Sequence, residues 1–182
     1  SGLVKAAGGG GAWNFISSTT VGATSTITIN SGIDSTYDLY MFVMQMTSDT
    51  DSQDWTMQFE ADGAVDTDSD YRYDIVNGYT TSTSLQHTKD NDSSAIRINA
   101  DGSEGDDNNP FDVIMYLHHP ADAAWYTQAK WFGSNIQHDG SFQNWWGAGI
   151  YEPADAVTGI YLTLASGDFR DGYIRLYGLA KS

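Results

Sequence analysis

Three aspartates at alternate positions, Asp66, Asp68 and Asp70, combine residue type and spacing in a way that could do chemistry. The D-x-D-x-D run offers three hard oxygen ligands in the register of a calcium-binding loop. That register then breaks. Tyr71 stands at the sixth position, where such a loop turns on Gly, and Asn77 at the twelfth, where it closes with Glu. An acidic, solvated turn accounts for the same residues. A calcium site of another kind, shared between two Asp-rich loops, would relieve the repulsion among them; no other cofactor is expected.

Catalytic pairings are sparse. Glu60-Ala61-Asp62 resembles the E-x-D core of certain jelly-roll glucanases, which set two carboxylates on one strand face across the scissile bond. Those enzymes carry a further glutamate three residues on, where this chain has Val65. No G-x-S-x-G nucleophile turn occurs. The histidines are His87, His118, His119 and His138. Adjacent His118 and His119 on a strand would point to opposite faces and could not chelate one metal; we expect one ring buried and one solvated. No catalytic constellation emerges, and a non-enzymatic protein is expected.

Aromatic side chains are the stronger signal. Trp125, Tyr126, Trp131, Phe132, Trp145, Trp146 and Tyr151 crowd residues 125–151 of the 182. Aromatic faces flanked by Asn, Gln and Asp suit sugar rings, and the same residues suit a core or a subunit interface. Trp125, Trp131, Trp145 and Trp146 are thus the candidate interface or glycan contacts. On a regular strand Trp145 and Trp146 face opposite ways, so at most one of them is core.

The elements that must position these residues are short strands. The 182-residue chain is 40% hydrophobic, enough for one domain with a real core. It has no cysteine, which excludes disulfides and zinc–thiolate sites. Lys and Arg total 8 against 24 Asp and Glu, a formal net charge of −16. Such a chain is repelled by nucleic-acid phosphates and by anionic membranes, and is best tolerated where salt screens it, as in a marine habitat. Only Glu60, Glu104 and Glu152 are glutamates. Aspartate favours turns over helices.

Thr24–Asn30 and Trp55–Ala61 alternate as half-buried strands do. Tyr37–Met46 is apolar on both faces, as expected of a central strand between two layers. Weaker strands are expected near Tyr71–Val76 and Ala95–Asn99. Further strands follow at Phe111–His118, Trp125–Phe132, Asn144–Tyr151, Gly159–Ala165 and Gly172–Leu179. Acidic runs at 49–54, 62–70, 90–92 and 101–109 read as turns, the last a long exposed loop. About ten strands with regular turn signals predict an all-β antiparallel sandwich of jelly-roll type spanning residues 12–182.

Before it lies a candidate assembly arm, residues 1–11, with Leu3 and Val4 as an apolar tip and Gly8, Gly9, Gly10 and Gly11 as a flexible hinge. A frayed tail fits the same stretch. No apolar stretch of leader length follows Lys5, and Ser1 is compatible with removal of an initiator Met, so a nearly complete chain is expected.

Two stretches together resemble β-sandwich proteins on the virions of tailed bacteriophages. One is GGAWNFISSTTVGATSTITINSGIDSTYDLYMFVM, with its Trp strand, Ser/Thr-rich strand and Tyr-x-x-Tyr strand at Tyr37 and Tyr40; the other is the closing GYIRLYGLAKS. The resemblance implies a structural protein at the virion surface: a capsid decoration protein, or a head- or tail-fibre receptor-binding domain. It implies assembly with itself, often as a trimer, and with the major capsid protein or other virion proteins. A host-surface glycan is a further partner of that reading, and a free carbohydrate-binding module is the rival from another class. No catalytic residues come with the resemblance.

Overall fold

Burial alternates where the sequence alternates. Trp55, Met57, Phe59 and Ala61 are buried, whereas Thr56, Gln58 and Glu60 are half-buried between them. Phe111, Val113, Met115 and Leu117 repeat the pattern. A pleated strand sends successive side chains to opposite faces, so each such run builds one wall of a core.

The computed structural model describes residues 12–100, 110–137 and 139–181. The expected arm at residues 1–11, the loop 101–109 and His138 lie outside the described residues. The first four strands are β1 (Trp13–Val21), β2 (Thr26–Ile29), β3 (Leu39–Ser48) and β4 (Trp55–Ala61). Next come β5 (Ala64–Val65), β6 (Tyr71–Tyr79), β7 (Gln86–Ser93) and β8 (Ile96–Arg97). The last five are β9 (Phe111–His118), β10 (Thr127–Ile136), β11 (Phe142–Tyr151), β12 (Val157–Leu164) and β13 (Phe169–Leu179). There is no helix among the described residues.

All pairings are antiparallel. The larger sheet runs β1-β13-β3-β9-β10-β11-β6-β7, and the smaller runs β2-β12-β4-β5 with β8 also on β4. The set β1-β13-β3-β9 facing β2-β12-β4-β8 is jelly-roll connectivity. Strands β5 to β7 are inserted between β4 and β8, and β10 and β11 between β9 and β12. Four of these inserted strands continue the larger sheet beyond β9.

The core between the sheets is aromatic at its centre. Trp55 stacks on Phe111 at 4.0 Å between ring centroids and meets Phe169 edge-on at 5.1 Å. Buried Asn99 accepts the Trp55 backbone N–H at 2.9 Å and donates to the Gln53 carbonyl at 2.8 Å, which ties the β8 segment to β4. The two terminal stretches meet in space. A Cβ on Gly178 would lie 2.2 Å from the Tyr37 ring, and Tyr37 meets Tyr40 edge-on at 5.6 Å. The Tyr40 hydroxyl donates to the Asp34 carbonyl at 2.6 Å and accepts the Asp34 N–H at 2.9 Å, which pins the loop before β3.

Three expectations are corrected. Tyr40, Phe42, Met44 and Met46 of β3 are buried, but Leu39, Met41, Val43 and Gln45 are only half-buried. The second apolar face of β3 is the outer surface of the larger sheet, and no second layer covers it among the described residues. Residues 90–92 are not a turn but part of edge strand β7, which pairs with β6 through a bulge between Tyr71 and Tyr73. An edge strand needs only its backbone ladder, so polar side chains suffice. Finally, Asp62 does not share a strand face with Glu60. It opens a two-residue turn between paired Ala61 and Ala64, with φ of 51° at Asp62 and 79° at Gly63. Two left-handed residues in an Asp-Gly pair form the hairpin turn that matches strand twist.

Candidate functional site

Two tryptophan–glycine pairs organise the extended half of the larger sheet. Trp131 stands directly opposite Gly147, and Gly133 directly opposite Trp145. A Cβ at Gly147 would lie 2.4 Å from the Trp131 indole, and one at Gly133 would lie 2.6 Å from the Trp145 indole. Each indole therefore occupies the space its partner's side chain would take. Trp145 also donates its Nε1–H to the Ile98 carbonyl at 2.8 Å. Both tryptophans belong to the core, at 2% and 1% exposure. This corrects Trp131 and Trp145 as candidate interface or glycan contacts: the small cross-strand residues draw them inward.

Alternation then sends their neighbours out. Phe132 and Trp146 sit opposite each other in the β10–β11 register and are 49% and 52% exposed. They form an aromatic ridge on the outer face. Beside the ridge a shallow concavity of about 790 Å³ runs over β10, β11, β6 and β7. Its floor is low because Ala148 separates Lys130 from Asp74, which is paired in turn with Lys89. Asp74 contacts His87 Nε2 at 2.5 Å, and Arg72 reaches Glu152 at 2.9 Å. Positive and negative groups nearly balance around this hollow.

The other half of the same face, over β1, β13, β3 and β9, is apolar. Phe15 is 60% exposed and meets Tyr177 edge-on, while Trp13 lies against Tyr116. Met41, Val43 and Ile114 continue the surface. The outward positions of these four strands between Trp13 and Thr20, Tyr173 and Leu179, Leu39 and Gln45, and Asp112 and His118 carry one acid, Asp112. Its carboxylate accepts the Gln45 side-chain amide at 2.8 Å. Arg175 lies over the Tyr173 ring at 4.3 Å. Trp125 is exposed too, but in the loop before β10, beside His119.

The acidic triplet is brought together. Oxygens of Asp66, Asp68 and Asp70 all lie within 4.8 Å of one another. Asp66 is already engaged: Oδ1 accepts the Asp68 N–H at 2.8 Å and Oδ2 accepts the Tyr151 hydroxyl at 2.6 Å. The Tyr71 hydroxyl donates to the Asp66 carbonyl at 2.9 Å and accepts the Phe59 N–H at 3.0 Å. Burial first, and then nearby carboxylates, push both tyrosine hydroxyls well above their ordinary range. Loss of some solvation, and then repulsion from Asp66, Asp68, Glu152 and Asp92, raises the Asp70 carboxyl. These contacts are those of an anchored acidic turn.

The histidine pair departs from expectation. His118 ends β9, and His119 has left the strand with φ of 50°. Both rings are half-buried rather than one in and one out. Burial, followed by the charges of Lys130 and His119, lowers the His118 imidazole below its ordinary range. Glu60 and Asp62 form no paired carboxylate site, for the reason given above.

A signal for the ridge was present in the sequence. Trp131-x-Gly133 and Trp145-x-Gly147 are antiparallel complements, and aligning them sets the β10–β11 register and places Phe132 and Trp146 together on the face opposite Trp131 and Trp145. The concavity had no such signal, because its residues come from four strands that are neighbours in the sheet but form two pairs far apart in the sequence.

No family model matches this chain, and no curated protein matches it. Among solved structures, the crystal structure of exo-inulinase from Aspergillus awamori is similar at 11% identity with a TM-score of 0.29. That alignment covers 93% of this chain and 29% of the exo-inulinase chain.

Proposed function

We propose that this chain is a non-enzymatic structural protein of a phage virion surface, a capsid decoration protein whose jelly-roll body packs against further copies of itself through the outer face of β1, β13, β3 and β9. The observation that carries the self-association is electrostatic. A chain with a formal charge of −16 repels its own copies over most of its surface. The part of that outer face between Trp13 and Thr20, Tyr173 and Leu179, Leu39 and Gln45, and Asp112 and His118, with a single acid among exposed aromatics, is where two copies can approach without that penalty. Burial of Phe15, Trp13 and their neighbours supplies the driving force at roughly 25 cal/mol per Å² of apolar area. The placement on a virion rests on the sequence resemblance at both ends of the domain.

Native mass spectrometry of the full chain tests the assembly. The expected result is a discrete oligomer, lost in Phe15→Asp while the circular dichroism stays unchanged. A chain that stays monomeric to high concentration, or an oligomer indifferent to that substitution, contradicts the proposal.

A further inference from the structure

We infer that the other half of the outer face, over β10, β11, β6 and β7, binds a neutral oligosaccharide across the Phe132–Trp146 ridge. This site is independent of the self-association proposed above. An exposed indole face at Trp146 offers a platform on which the C–H face of a pyranose can stack. The hollow on one side presents donors and acceptors in alternation: Arg72, Lys89, Lys130 and Gln128 donate, whereas Asp74 and Asp90 accept. On the far side of the ridge Ser134 and Asn144 stand opposite each other in the β10–β11 register and add polar side chains there. Polar groups on both flanks of an aromatic ridge match a ligand with hydroxyls around an apolar face.

The charge balance selects the class. Three cations against two carboxylates in the hollow, with Arg72 already held by Glu152, leave little net charge to recognise an anion. The surrounding field of a −16 chain opposes a polyanion further. Hydroxyl groups, which donate and accept, use both kinds of side chain. The rows from Gln128 through Lys130 and Phe132 to Ser134 advance six residues along β10, roughly 20 Å at strand rise. That length suits a short oligosaccharide over a single sugar. Volume agrees, since 790 Å³ is in the range of small-molecule sites.

Isothermal titration of the full chain with two- to six-residue β-glucan, α-mannan and galactan oligosaccharides, and with dextran sulfate, tests the assignment. At least one neutral series is expected to bind, more tightly as it lengthens. Trp146→Ala, and separately Asp74→Asn, should weaken binding tenfold or more without changing the circular dichroism. Trp125→Ala, which removes an exposed indole outside the site, should leave it intact. Binding of dextran sulfate alone, binding indifferent to Trp146→Ala, or no binding by any of the three neutral series overturns the inference. The oligomeric state of Trp146→Ala separates the two proposals, because it should equal that of the parent chain.

Discussion

The jelly-roll half and the inserted half of the larger sheet share one continuous hydrogen-bonded ladder but solve burial differently. Under β3, β9 and β13 the inner face is filled by Phe42, Met44, Met115, Ile174 and Leu176, all essentially inaccessible. Under β10, β11 and β6 it mixes the two tryptophans with buried amides. Asn77, Asn135 and Gln143 are 1%, 3% and 0% exposed, and the Asn77 and Asn135 side-chain amides have no hydrogen-bond partner among the described residues. A buried polar group without a partner costs about 1–3 kcal/mol. The first half is therefore built for stability, whereas the insertion accepts a polar interior and carries the more varied outer surface. Recognition surfaces are often added to a stable scaffold in this way.

Trp55→Ala tests the stable side of the contrast and should have the largest effect. It removes the indole stacked on Phe111 and should cost about 3–5 kcal/mol, read as a fall in the denaturation midpoint. Gly147→Ala probes the inserted half. Its Cβ would meet the Trp131 indole at 2.4 Å, so overpacking should cost about 1–3 kcal/mol and alter tryptophan fluorescence. Asn77→Leu has the opposite sign. Replacing an unpartnered buried amide with an apolar side chain of similar size should leave the urea midpoint unchanged or raise it by up to about 1 kcal/mol equivalent. A loss as large as that of Gly147→Ala would show that the amide is satisfied and the contrast wrong.

The smallest effect is electrostatic. The Asp70 carboxyl is raised in the folded state, so folding is favoured when it is protonated. That advantage is present below the unfolded carboxyl value and disappears as pH rises through the raised one. Asp70→Asn should therefore raise the melting temperature slightly near neutral pH and lose its benefit in acid, as thermal scans across pH 3–7 would reveal.

Much of the jelly-roll half was legible because period-two alternation at Trp55–Ala61 and Phe111–Leu117 reports burial on one face directly. The order of strands was not, since β1 pairs with β13 and β2 with β12 across nearly the whole chain. Strand β7, QHTKDNDS, reads as polar loop because its place in the sheet is fixed by backbone bonds to β6 and not by side chains. The apolar outer row of β3 reads as a second buried layer for a related reason: sequence reports apolarity, and cannot distinguish a face covered within the chain from one left open. Strand alternation allowed at most one of Trp145 and Trp146 in the core. Which was which depended on the glycine across the strand.

The central claim is that one outer surface is divided between self-association and recognition. Hydroxyl-radical footprinting of the full chain across a concentration series tests it side chain by side chain. We predict that Trp13, Phe15 and Met41 become protected as concentration rises while Trp146 stays reactive. Uniform reactivity at all concentrations, or protection of Trp146 in step with Phe15, would contradict that division.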